Sequence, residues 1–228
     1  MKKYDIFLFD ADNTLYDFNK ASAHALKTLF NEFGFDYSGH IPKRLMDIST
    51  PLWKSYEKGE ISDNDLQRLR FVRLFDELGV QHDPVIFNDM YLQTLGKNPF
   101  LITGALDVCR KIVNYSKQLF IVTNGFLASQ ESRQRHSPIR GYISDAFISE
   151  TVGHKKPSRE YFEHVFSHIP QVDKKKILIV GDSLTADIAG GNAAGIDSCW
   201  FNMHSHVNHT AIEPTYEISK LSELDKFI

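Results

Sequence analysis

Three short runs of consecutive apolar residues punctuate the chain: Ile6-Phe7-Leu8-Phe9, Leu119-Phe120-Ile121-Val122 and Ile177-Leu178-Ile179-Val180. Runs without polar alternation suit strands covered on both faces, as in a parallel sheet. Weaker strands are predicted at Ala146-Phe147-Ile148-Ser149 and Ser198-Cys199-Trp200-Phe201. The intervening stretches have helical spacing. Ala23, Leu26, Phe30 and Phe33 precede Gly34 as a stop, and Leu45, Ile48 and Trp53 mark a second helix interrupted or restarted at Pro51. Ser62 and Asp65 resemble a capping box before Leu66, Leu69, Phe75 and Leu78, with Gly79 as the stop. Asp83-Pro84 opens a further helix with Ile86, Met90 and Leu95 on its apolar face and Gly96 at its end. Helices are also predicted over 104–117, 126–136 (polar), around Tyr161 to Phe166, and over 187–194, with a short strand and helix in the tail. Alternating strands and helices predict an α/β fold with a doubly wound parallel sheet. On this reading 1–16 and 99–228 form the core domain, and 17–98 form an inserted helical domain.

Composition narrows the field only a little. The chain has 228 residues, 42% hydrophobic and 24% charged, with a formal charge of −3. That charge favours neither nucleic acid nor a membrane surface as a partner, and the expected state is a monomer or a homodimer. No apolar stretch is long enough to cross a bilayer, and Met1-Lys2-Lys3-Tyr4-Asp5 lacks the pattern of a signal peptide. Cys109 and Cys199 lie far apart in apolar surroundings and read as buried free thiols, so a cytoplasmic location is expected.

The chemistry sits where the apolar runs end. The first opens into Asp10-Ala11-Asp12-Asn13-Thr14, the second into Thr123-Asn124-Gly125 and the third into Gly181-Asp182-Ser183, with Asp187 following; Lys156-Pro157 lies in an intervening loop. Ligands of open α/β sheets bind beyond the carboxyl ends of the strands. Taken singly, each group has a plain structural reading as a turn, a cap or a solvated loop. Two carboxylates at the mouth of a core strand are costly unless a cation neutralises them, and a divalent metal with oxygen ligands is the simplest one.

The four groups in this order resemble the haloacid dehalogenase superfamily, whose phosphatases use an aspartate nucleophile. The D-x-D-x-T motif reads Asp10-Ala11-Asp12-Asn13-Thr14, the second motif falls on Thr123, the lysine motif on Lys156, and the acidic motif on Asp182 with Asp187. Lys155 competes for the lysine role, but adjacency to proline favours Lys156. Asn13 stands where many relatives have glycine, and Thr14 is expected to help fix the loop. The resemblance implies a Rossmann-like core under a helical cap. It implies Asp10 as nucleophile, Asp12 as general acid and base, and Thr123, Asn124 and Lys156 as phosphate ligands. It further implies magnesium, with manganese able to substitute, held by Asp10, the Asp12 backbone carbonyl and Asp182, with Asp187 orienting a metal-bound water or Lys156.

Wording beyond the motifs, Pro51-Leu52-Trp53, Ile148-Ser149-Glu150 and Cys199-Trp200-Phe201-Asn202, resembles bacterial pyrimidine 5′-nucleotidases. The implied substrate is a nucleoside monophosphate, with sugar or other small phosphates as the alternative. Trp53 and Tyr56 on the cap are candidates to stack on a base or to pack the cap core. His204, His206 and His209 invite a zinc reading, but with no fourth ligand evident a solvated or cap-facing loop is expected. Rivals are a dehalogenase, against which Asp12 argues, a phosphoryl-transferring mutase, and a catalytically silent binding protein.

Overall fold

The computed structural model describes residues 2–169 and 173–228. The apolar runs form strands of one sheet: β1 (Ile6–Phe9), β2 (Gln118–Thr123), β3 (Asp145–Ile148), β4 (Ile177–Gly181), β5 (Asp197–Phe201) and β6 (Tyr216–Ile218). Among the described residues the order is β3-β2-β1-β4-β5-β6, and every pairing is parallel. β1 is central and buried along its whole length, which is why it carries no polar residue. Its side chains alternate between two apolar clusters. Phe7 and Phe9 join one cluster, whereas Ile6 and Leu8 join the other. The sheet is therefore covered on both faces and doubly wound, as expected.

Between β1 and β2 the chain builds α1 (Phe18–Phe33), α2 (Ile41–Glu57), α3 (Asp63–Leu78), α4 (Pro84–Lys97) and α5 (Ala105–Asn114). α5 returns to the sheet through Val108, Cys109 and Ile112, while α1 to α4 enclose an apolar cluster of their own. Gly34 and Gly79 close α1 and α3 in the left-handed conformation at φ 69° and 64°, and the Ser62–Asp65 capping box opens α3. After β2 come α6 (Leu127–His136), α7 (Ser149–Val152), α8 (Arg159–His168) and α9 (Ala189–Ala194). α8 covers the second sheet face with Tyr161, Phe162 and Val165. The tail forms β6 and a final 3₁₀ turn, Leu221–Lys226. Among the described residues, no helix is long and apolar enough to cross a membrane.

Three local expectations need correction. Pro51 neither interrupts nor restarts α2, which runs unbroken from Ile41 to Glu57. Its ring is exposed, and burial of Leu45, Ile48, Leu52 and Tyr56 along one face outweighs the lost backbone bond. The apolar face of α4 is also rotated: Ile86 is exposed, and Phe87, Tyr91 and Leu92 face inward. Packing of Phe87 against Phe30, Phe71 and Phe75 decides that orientation. Finally, Gly96 lies inside α4 instead of ending it. A Cβ there would stand 2.6 Å from Ser132 Cβ and 2.9 Å from the Ser129 carbonyl oxygen. The glycine thus lets α4 and α6 approach closely. Gly96→Ala is expected to destabilise the protein by about 1–3 kcal/mol through overpacking, read as a lowered denaturation midpoint. An unchanged midpoint would mean that the helices separate freely.

Candidate active site

The strand order reverses at β1, whose two neighbours are β2 and β4, and the site gathers beyond these carboxyl ends. The Asp10 amide donates to the Val180 carbonyl at 2.9 Å, fixing the first aspartate beside the end of β4. The chain then turns sharply. Leu15 and Tyr16 amides both donate to the Ala11 carbonyl, and Asn13 takes φ 59°. Asparagine tolerates that left-handed conformation better than most residues, so it can stand at this turn. Thr14 is buried, and its hydroxyl has no partner among the described residues.

Lys156 is buried at the centre. Its ammonium donates to Asp10 Oδ1 at 2.7 Å, Asp187 Oδ1 at 2.6 Å and the Val122 carbonyl at 2.7 Å. All three N–H donors are thereby satisfied. The Asn124 side chain clasps the lysine backbone, accepting from the Lys156 amide and donating to its carbonyl, each at 2.9 Å. The predicted phosphate ligand Asn124 therefore has its side chain on Lys156, leaving its backbone for any anion. Thr123 Oγ1 accepts from the Gly125 amide at 3.0 Å. The neighbouring Lys155 turns away, donating to the Tyr56 carbonyl and lying 3.6 Å from the Tyr56 ring centroid.

Carboxylate oxygens of Asp10, Asp182 and Asp187 lie within 4.8 Å of one another. Burial lifts the Asp10 carboxyl to about 7; Lys156 opposes the rise, and the charges of Asp187 and Asp12 add to it. Burial, followed by the charges of Asp10 and Asp187, holds Asp182 well above the ordinary carboxylate range. Burial also works against the Lys156 charge, but Asp10 and Asp187 outweigh it and hold the ammonium above the usual lysine range. Asp187 is locked: besides Lys156 it accepts from the Ser183 amide at 3.0 Å. A Cβ on Gly181 would fall 2.2 Å from the Asp187 carboxyl carbon, so only glycine admits this packing.

Asp12 points elsewhere. Gln130 Nε2 donates to its Oδ2 at 2.7 Å, and the buried guanidinium of Arg133 donates to Oδ1. Arg133 also lies 5.0 Å from the Tyr16 ring centroid. Gly125 permits the arrangement, since a Cβ there would meet Gln130 Nε2 at 2.2 Å. Sequence reasoning missed Gln130 and Arg133. Their one signal was a polar helix directly after a motif strand, with two long polar residues three positions apart on a shared face.

A cavity of about 650 Å³ opens above these groups, lined by residues of the strand ends and of α1 to α4. Trp53 is half-buried on its wall, with its ring 5.3 Å from Phe126 and 5.7 Å from Tyr56. Tyr56 itself is buried. Glu57 also lines the cavity and accepts from Thr185 Oγ1 at 3.0 Å. His204, His206 and His209 lie on an exposed loop, where the first two rings are 5.7 Å apart. Cys109 and Cys199 are free and buried.

Curated relatives align over nearly the full chain. The HAD-hydrolase YfnB of Bacillus subtilis is 40% identical, covering 98% of this chain and 95% of its own. A crystal structure of YfnB bound to magnesium superposes with a TM-score of 0.92 at 39% identity, covering 99% and 98% of the two chains. Pyrimidine 5′-nucleotidase PynA of Streptococcus pneumoniae is 36% identical, covering 97% and 93%. Pyrimidine 5′-nucleotidase YjjG of Escherichia coli is 31% identical, covering 99% and 98%. The family model for haloacid dehalogenase-like hydrolases matches residues 4–195, a span that includes every motif aspartate and Lys156. With Asp10, Lys156, Asp182 and Asp187 drawn together beyond the switch-point strands, the chain belongs to the haloacid dehalogenase-like hydrolases.

Proposed function

We propose that the protein is a magnesium-dependent phosphomonoesterase acting through an aspartyl-phosphate, with pyrimidine nucleoside 5′-monophosphates as substrates. The carrying observation is the separation of the two motif aspartates. Asp10 is held by Lys156 through one oxygen only, whereas Asp12 is turned aside on Gln130 and Arg133. Identical carboxyl groups thus have different surroundings, which suits them to different roles.

The donor set fits a hard dication. Three clustered carboxylates face one ammonium, and Asp182 has no side-chain hydrogen bond among the described residues. Asp10 and Asp182, with the backbone carbonyl of Asp12, would hold the ion. When bound, magnesium supplies positive charge to the phosphoryl oxygens. The free oxygen of Asp10 attacks phosphorus while the bond to the leaving oxygen breaks, and Asp12 donates a proton to that oxygen. Asp12 then takes a proton from water as the water attacks phosphorus, which frees phosphate and restores the Asp10 carboxylate. Thr123 and backbone amides near Asn124 hold the phosphoryl oxygens, with Lys156 fixing Asp10 for attack. Residues 17–98 act as the cap that shapes the leaving-group pocket, a reading supported by their separate apolar cluster. The nucleotidase relatives support the substrate class, and the two free thiols support a reducing cytoplasm.

The test is phosphate release from uridine 5′-monophosphate and from sugar phosphates, with magnesium and with chelator. Uridylate is expected to be preferred and chelator to abolish turnover. Strong preference for a sugar phosphate would overturn the substrate class, and chelator-resistant activity would overturn the metal dependence. Asp12→Asn is expected to lower kcat by about 10²–10⁴-fold with little change in KM, because a proton donor acts in the transition state and not in binding. An equal rise in KM would argue against that role.

A further inference from the structure

One buried cation in the helical block has no carboxylate partner among the described residues. Arg70, on α3, is only 2% exposed, yet it lines the same cavity as Asp10. Its Nε at 3.2 Å and its Nη2 both donate to Asn88 Oδ1, and Asn88 Nδ2 donates in turn to Gln67 Oε1 at 2.9 Å. Among the described residues no carboxylate pairs with Arg70, and burial pulls the guanidinium down to about 10. Aromatic faces offset part of the cost. The guanidinium carbon lies 5.1 Å from the Tyr91 ring centroid and 5.2 Å from that of Phe126, the ring against which Trp53 packs. Nη1 has no hydrogen-bond partner among the described residues and keeps access to open space.

A buried cation without an anion is unfavourable for folding, so its retention on a cavity wall points to a ligand. The free edge selects the chemistry. Asn88 takes the Nε–Nη2 side of the guanidinium, which leaves Nη1 and the second Nη2 hydrogen as its available donors. The one phosphate of a nucleoside monophosphate is engaged at Asp10, so the acceptor that such a substrate has left for this edge is a carbonyl oxygen of its base. The rings of Trp53 and Tyr91, which line the same cavity, suit a flat group. Resting on the nucleotidase reading above, we infer that Arg70 is a specificity residue whose Nη1 donates to a ring carbonyl of the substrate's pyrimidine base. The cavity, at about 650 Å³, falls in the range of roughly 300–1,000 Å³ that takes small-molecule ligands, and one wall carries the nucleophile while another carries this donor.

The experiment compares kcat/KM for uridine 5′-monophosphate and ribose 5-phosphate, which share the phosphate and sugar and differ by the base. A sugar bisphosphate serves as the second-anion arm. Wild-type protein is expected to prefer uridylate at least tenfold. Arg70→Met should reduce the uridylate-to-ribose-phosphate ratio by about 10–100-fold, the range of a hydrogen bond to a charged donor. Arg70→Lys, which keeps the charge and a donor and guards against a folding failure, should give an intermediate ratio. A ratio unchanged while both rates fall would make Arg70 a packing residue of the helical block and overturn the inference. Selective loss of bisphosphate hydrolysis would replace the base carbonyl by a second anion and also overturn it. Absence of uridylate hydrolysis in the wild-type protein would instead sink the nucleotidase reading itself.

Discussion

Asp10→Asn is expected to lower kcat by on the order of 10⁴–10⁶-fold, as loss of a covalent nucleophile does. The amide is nearly isosteric but cannot form the acyl-phosphate bond. Its carbonyl oxygen can still accept from Lys156, so the local hydrogen bonding survives. The replaced carboxyl is one that burial lifts to about 7, so neutralising it should leave the thermal midpoint within a few degrees of the wild-type value. Phosphate release and acid-quench trapping of phosphoenzyme should fail together in the variant, while circular dichroism remains native. Activity above about one per cent of wild type would mean that water attacks the substrate directly and that no aspartyl-phosphate is required.

Lys156→Met should damage both stability and turnover. The lysine is buried among two carboxylates and a backbone carbonyl, and removing one partner of a buried ionic cluster typically costs about 3–5 kcal/mol. For a chain of this size that corresponds to a midpoint lowered by roughly 10 °C, measured with chelator present. The pH dependence gives the sharper test. Without the ammonium, Asp10 and Asp182 lose the charge that opposes their rise, and their folded-state pKa values climb further above the unfolded ones. A carboxyl with a raised folded pKa contributes stability below its unfolded value and loses it as pH rises through its folded value. The deficit of Lys156→Met should therefore be largest near pH 8 and shrink toward pH 5. A deficit independent of pH would assign the lysine to packing alone. Turnover should also fall by about 10³-fold, since Asp10 loses the donor that fixes it for attack.

Much of this protein is legible locally. A strand covered on both faces must be apolar throughout, so β1, β2 and β4 announce themselves, and any polar group near them must lie at their ends. Asp10, Thr123 and Asp182 stand there for that reason, and adjacency to Pro157, which fits the family resemblance, singles out Lys156 over Lys155. Caps are equally local: Ser62, Asp83, Gly34 and Gly79 act on neighbours within a few residues.

Other features depend on contacts between residues distant in sequence. Asp12 meets Gln130 and Arg133 across more than a hundred residues. α6 buries those polar side chains without an apolar stripe to mark its inner face, so its inward face appears only in the packed structure. α4 presents Phe87 and Tyr91 where simple spacing suggested Ile86, because facing rings from α1 and α3 set its rotation. Gly96 reads as a helix stop in sequence, whereas its place against Ser129 and Ser132 of α6 makes it a close-contact position inside α4. Arg70 reads in sequence as one more surface charge on a helix, and only assembly of α3, α4 and Phe126 around it leaves its single free nitrogen on the cavity wall. Backbone patterning thus places the strand ends and their carboxylates, while side-chain packing across the fold decides which partner each charge meets.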